Sequence, residues 1–437
     1  MKVDFKRGRA VSFIRDRIAV PARRVHRWSS IRYSANHAWI YYIFGFCYHN
    51  SVRHAFTARP VSKLESTIKK VLKMDELVIE KAYKSARKHN RRSEDMLFFE
   101  LDKYARIARL AKSMNMRSYI PGSNYSFIHR RGNKPREVFA AEPELKIIMA
   151  FLLGRIGPLM EKHLTPYTYN NRIGMGTQAA VNKVAENIYA CSHGYTRPCW
   201  IIKLDYKGYF PNINQDLAYA QVKRIIDEEY KGPDKDEVYY SLSLSCFCNP
   251  SRSYRKSPLW EWQDIPSYKS VYTRTPGVGG FIGYHFWQIE ASLYPADIDR
   301  FIAENITPYY VRFVDDCVLI TDNKEATLAM IPELRRRLAE IGITLHPRKF
   351  YCQPYEHGVE FLGYHILPGR IHMKRQTIGK ALAAAKRKGA GRRRYIDSIN
   401  SYLGMIKGTS DLRQARAVLD AVRPDFTKDY TNYKIAI

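Results

Sequence analysis

Residues 309–321 read YYVRFVDDCVLIT. Apolar runs flank Asp315-Asp316, which predicts strand, tight turn and strand with two acids at the tip. A second stretch, Trp200-Ile-Ile-Lys-Leu-Asp205, predicts a short buried strand that ends in a third acid. Carboxylates gathered at the mouth of a buried sheet repel one another and lose hydration. A divalent cation removes both costs. Oxygen-only ligands suit Mg²⁺, which takes few carboxylates and completes its shell with substrate phosphates. Two such ions ~4 Å apart activate a 3′-hydroxyl and stabilise a leaving pyrophosphate. Asp is also a common turn residue, so a polar β-turn is the bland alternative.

The rest of the composition points the same way. Lys and Arg number 72 against 42 Asp and Glu, a formal charge of +30 over 437 residues. That excess suggests a polyanion, nucleic acid first and an anionic membrane surface second. The 32 Tyr and 19 Phe supply rings that stack on bases. Hydrophobic residues at 45% exclude a wholly disordered chain. Cysteines at 47, 191, 199, 246, 248, 317 and 352 have no standard zinc spacing and no disulfide pattern, so a reducing, cytoplasmic setting fits. The opening MKVDFKRGRA lacks a signal-peptide core. Ten Lys and Arg in residues 1–32 leave a transit peptide open, against which Asp4 and Asp16 count. The apolar run at 38–48 is shorter than the ~20 residues of a membrane span, and no membrane partner is expected.

Along the chain, residues 1–94 read as a basic, partly helical extension. Helix is expected over 61–115, with Ser93 as an N-cap and Leu97, Leu101, Tyr104, Ala108 and Ala111 as one apolar stripe. A hairpin is expected over 125–139 with its turn at Gly132-Asn133, then helices over 143–164 and 213–230. Residues 230–275 read as a polar, Pro-punctuated loop. A helix near 324–341 is shortened or kinked by Pro332 and ended by Gly342. Short strands lie around 361–364, and the tail after 370 is helical and basic, with six positive charges in 386–394.

The order and wording of these segments resemble a reverse transcriptase over about 95–437. Leu204-Asp-Tyr-Lys-Gly-Tyr-Phe-Pro-Asn-Ile213 resembles the family's first catalytic motif, and Tyr310-Val-Arg-Phe-Val-Asp-Asp316 its YxDD box, with Phe313 in place of Tyr. Val359-Glu-Phe-Leu-Gly-Tyr364 resembles the primer-grip FLGY, and Leu345-His-Pro-Arg-Lys349 the segment before it. Arg136-Glu-Val-Phe-Ala-Ala141 and Ile173-Gly-Met-Gly-Thr177 resemble fingers motifs. Ile399-Asn-Ser-Tyr-Leu-Gly-Met405 resembles a thumb helix, and Pro266-Ser-Tyr-Lys-Ser270 a segment found near diversity-generating retroelements. Any one match is weak, but eight in order are strong.

The resemblance implies an α+β right hand. Fingers and palm would occupy 95–369, with a small antiparallel sheet in the palm, and a helical basic thumb would occupy 370–437. It implies that Asp205, Asp315 and Asp316 hold two Mg²⁺ ions, or Mn²⁺ in their place, with help from the Tyr206 carbonyl. Lys349 would be the general acid. Lys134 and Arg136 would contact the triphosphate, with Tyr206, Phe210 and Gln288 also in the nucleotide site. Phe210 would be the gate against a ribose 2′-hydroxyl. Partners would be dNTPs, an RNA template or non-coding RNA, a DNA product, and an accessory protein, second polymerase or further copy of the chain.

One motif departs from the family. Relatives read like GLPIGNLTSQ where this chain reads Gly279-Gly-Phe-Ile-Gly-Tyr-His-Phe-Trp-Gln288. Phe281, Tyr284, His285, Phe286 and Trp287 are expected to crowd the template and nucleotide pocket, or simply to pack the palm. Crowding would favour a restricted template or a repetitive product. No integrase, zinc-finger or nuclease signature accompanies the motifs, as in stand-alone bacterial reverse transcriptases of antiphage defence. The alternatives are a diversity-generating retroelement enzyme, a template-independent polymerase and an inactive RNA scaffold.

Overall fold

The computed structural model describes residues 74–422, apart from 123, 132–133, 248, 251–252 and 388–391. Every described residue falls in one compact unit of the chain. Most of the expected basic extension, the Gly132-Asn133 turn and part of the 386–394 run therefore lie outside the described residues.

The architecture is α+β. Among the described residues ten strands form three sheets: β1 (Tyr125–Arg131), β2 (Lys134–Ala140), β3 (Trp200–Asp205), β4 (Tyr254–Arg255), β5 (Tyr310–Phe313), β6 (Asp316–Thr321), β7 (Tyr351–Pro354), β8 (Val359–Phe361), β9 (Tyr364–Leu367) and β10 (Arg370–Met373). The central sheet has the order β5-β6-β3-β7 and is antiparallel throughout. A second sheet runs β2-β1-β4 and a third β10-β9-β8.

The central sheet has an apolar core on each face, which explains why its strands read as continuous apolar runs rather than alternating ones. Successive side chains point to opposite faces. Ile202, Leu204, Cys317 and Leu319 belong to one core with helices Pro143–His163, Gln215–Glu229, Lys235–Cys246 and His285–Leu293. Ile201, Val318 and Ile320 belong to the other, with helix Thr177–Cys191, strands β8 to β10 and the helices after 374. Burying each such side chain contributes roughly 1.5–3 kcal/mol.

Two sequence expectations need correction. The apolar stripe is mis-phased at its start: Leu97, Leu101 and Tyr104 are exposed and only its last member, Ala111, is buried, alongside Met96, Phe99, Ile107, Leu110 and Met114. The helix breaks at Asp102, so Glu94–Leu101 and Lys103–Asn115 are separate helices and one period cannot run through both. Residues 230–275 are also not all loop. Helix Lys235–Cys246 buries Val238, Leu242 and Cys246 together with Glu237, Ser241 and Ser245, and that polar content hid its inner face. Pro332 behaves as expected, standing in the first turn of Ile331–Glu340 just after Lys324–Ala329 ends.

A candidate active site at the sheet edge

β3 and β6 are in register, with Asp205 opposite Asp316. Asp315 stands in the β5–β6 turn, and its carbonyl accepts the Tyr206 amide at 3.0 Å. The three acids predicted from sequence thus converge on one edge. Val314, just before them, adopts a left-handed backbone at φ 59°, which costs a residue with a Cβ roughly 1–2 kcal/mol. Side chains beneath hold this turn: Asn170 Oδ1 accepts the Val314 amide at 2.9 Å, and Arg312 Nη1 donates to the Val314 carbonyl at 3.2 Å.

Arg312 is fully buried and paired with equally buried Asp299. Its guanidinium donates to both Asp299 oxygens at 2.8 and 2.7 Å, to Thr168 Oγ1 at 2.8 Å and to the Ser292 carbonyl at 2.7 Å. Thr165, Thr168 and Tyr310 hydroxyls donate to the same carboxylate. A buried ion pair holds together only when so satisfied. Sequence reasoning passed over this support, although an arginine inside an apolar strand was a visible signal of a buried partner.

The acids themselves carry unfavourable electrostatics. Burial, then the neighbouring Asp205 and Asp316, push the Asp315 carboxyl up to about 6. Lys349 Nζ donates to Asp205 Oδ2 at 2.6 Å, and Lys203 Nζ lies 3.5 Å from Asp316 Oδ1. Burial works to lower the Lys349 ammonium, but Asp205 and the two other acids raise it, with a net upward shift that keeps it protonated. Among the described residues no group of three or more His, Cys, Asp or Glu side chains is set to ligate an ion as it stands. The donor chemistry nevertheless fits hard divalent cations: three carboxylates, mutually repelling, with lysine ammonium groups in the place of countercharge.

The other expected residues fall in three groups. Phe210 is half-buried on the turn after Asp205, its ring 5.8 Å from Tyr209. Tyr206 turns its ring into the core. Lys134 and Arg136 are exposed on β2, on one face by strand parity, and neither side chain is paired among the described residues. Gln288 and His285 are exposed. Phe281, Tyr284 and Trp287 are not pocket residues: each is at most 2% exposed. Phe281 stacks on Phe139 at 4.0 Å, and Trp287 lies against Gly280. Four of the loop's five bulky rings thus fill core, Phe286 included, and His285 alone among them keeps an exposed face.

The family model described as reverse transcriptase (RNA-dependent DNA polymerase) matches residues 128–366, more than half of the chain. Among solved structures, apo telomerase from Candida tropicalis superimposes with a TM-score of 0.43 at 11% identity, over 69% of this chain and 55% of that one. The same telomerase truncated from its C-terminal domain gives 0.42 at 12% identity, over 62% and 60%. The chain thus spans a little over half the length of these structures. No curated protein matches it.

Proposed function

The chain belongs to the reverse transcriptase family, and on that premise we propose that it is an RNA-directed DNA polymerase working by two-metal nucleotidyl transfer. The observation that carries this reading is the convergence of Asp205, Asp315 and Asp316 on one sheet edge. Asp205, Asp315, Asp316 and the Tyr206 carbonyl would hold two Mg²⁺ ions, for which Mn²⁺ could substitute. When bound, the ions supply activation of the 3′-hydroxyl and neutralise charge on the phosphates.

The protein's own groups do the rest. Lys349, its ammonium beside Asp205, donates the proton that the leaving pyrophosphate takes up. Lys134 and Arg136, exposed on β2, hold the triphosphate. Phe210 stands against the sugar and excludes a 2′-hydroxyl. Gln288, on the surface of the following helix, completes the nucleotide side.

The same reading supplies partners: RNA as template, dNTPs as substrate and DNA as product. We place the enzyme in bacterial antiphage defence with a non-coding RNA or a partner protein, on its resemblance to stand-alone bacterial enzymes. A diversity-generating retroelement is the alternative, and the neighbouring genes separate the two. Burial of Phe281, Tyr284 and Trp287 removes the reason to expect a restricted template. The test is to supply purified protein with a heteropolymeric RNA, a primer and all four dNTPs, and to sequence the product. A complementary DNA supports the reading. A homopolymer made equally well without RNA points to template-independent synthesis, and no product points to an RNA scaffold.

A further inference from the structure

Residues 254–274 touch both halves of the nucleotide site. At one end they grip the β1–β2 hairpin. β4 adds to β1 in parallel, the Lys256 amide donates to the Ser126 carbonyl at 2.7 Å, and Ser257 Oγ accepts the Ile128 amide at 3.1 Å. The centre of the grip is Glu137, only 3% exposed. Its carboxylate accepts three hydrogen bonds from this one segment: Trp262 Nε1 at 2.9 Å, Ser270 Oγ at 2.8 Å and the Val271 amide at 2.7 Å. Glu137 follows Arg136 on the same strand, on the opposite face.

At the other end the segment lies on the turn that follows Asp205. Gly208 is left-handed at φ 58°, and a Cβ there would lie 2.3 Å from the Tyr268 carbonyl, so only glycine lets the two backbones meet. Lys207 Nζ lies 5.0 Å from the centre of the Tyr268 ring. Asn212 Nδ2 donates to the Lys207 and Gly208 carbonyls at 3.0 and 2.9 Å, and its Oδ1 accepts from Arg274 at 3.1 Å. Arg274 also donates to the Ser267 carbonyl at 2.6 Å. Phe210 sits inside this turn.

We propose that residues 254–274 are a strap that fixes the β1–β2 hairpin against the 207–212 turn, with Glu137 as the positioning residue that anchors it. Arg136 and Phe210 are then set for a nucleoside triphosphate before it arrives, and binding need not bear the entropy of bringing them together. The strap rests on the polymerase reading for its purpose and on the hydrogen bonds alone for its existence.

Two measurements on the full chain separate these levels. Glu137→Gln replaces an acceptor oxygen by a donor, and Trp262→Phe removes a single hydrogen bond while keeping a ring. Hydrogen exchange at 207–213 should quicken in both variants, although neither residue belongs to that turn, while exchange at 310–321 stays unchanged. Unchanged exchange at 207–213, or equal quickening everywhere, overturns the strap whether or not the wild type polymerises. In an active wild type, Glu137→Gln should raise the dNTP KM about tenfold with kcat held within about twofold and RNA affinity unaltered. A KM that stays put while 207–213 loosens overturns the positioning role of Glu137. Absence of incorporation by the wild type falls on the polymerase reading instead, and the exchange data still decide the strap.

Discussion

Glu290 is a carboxylate with no ion-pair partner among the described residues. It is fully buried, and neither side-chain oxygen has a hydrogen-bond partner among the described residues. Burial pushes its carboxyl from the ordinary 4.5 up to about 8. The folded state therefore keeps its proton between those values while the unfolded state loses it. Stability is full below about pH 4.5 and falls as pH rises towards 8, by roughly 3 kcal/mol at pH 7. Glu290→Gln removes this slope, so its thermal midpoint should match the wild type at pH 5 and exceed it at pH 8. A difference that does not grow with pH contradicts this assignment. Asp299 presents the opposite case. Asp299→Ala strands the buried Arg312 charge and should cost about 3–5 kcal/mol in denaturant unfolding. Neither residue stood out in the sequence. A lone Glu in a helix or an Asp in a first turn looks the same whether it faces water or core.

At the scale of elements, legibility followed local pattern. β3, the β5–β6 hairpin, β1–β2 and helix Pro143–His163 fall where their apolar runs and turn residues placed them. The helices of 94–115 and helix Lys235–Cys246 were misread, because one hides a break at Asp102 and the other buries serines. The motif-B loop shows what residue type alone could not say. Its aromatics suggested a base-stacking surface, yet Phe281, Tyr284, Phe286 and Trp287 are buried, and Gly283 between them brings backbone against backbone. A Cβ on Gly283 would lie 2.2 Å from the Phe139 carbonyl, at a φ of +111°. Gly283→Ala should therefore cost roughly 1–3 kcal/mol in strain alone. Gly154, in the middle of helix Pro143–His163, would place a Cβ with nothing within 4 Å. Gly154→Ala should stabilise by about 0.5–1 kcal/mol. Urea midpoints of the two variants moving in the same direction would contradict this reading of the loop.

At the scale of the whole molecule, the charge of +30 sets how the chain meets a polyanion. If 6–10 phosphates are contacted, affinity for a random RNA should drop about 10³–10⁵-fold between 50 and 200 mM salt. A flat salt profile would remove the electrostatic case for nucleic acid. The acidic triad was legible because Asp205 ends one apolar strand and Asp315-Asp316 sit between two others. Its support by Asn170 and Asp299 was not, because these reach Val314 and Arg312 only once separate segments meet. The measurement closest to the central claim is incorporation of one dNTP onto a primer annealed to RNA, titrated with Mg²⁺, for the wild type and for Asp315→Ala with Asp316→Ala. The account predicts Mg²⁺-dependent extension by the wild type and none by the double variant, with RNA affinity equal in both. Extension that survives loss of both acids would contradict it.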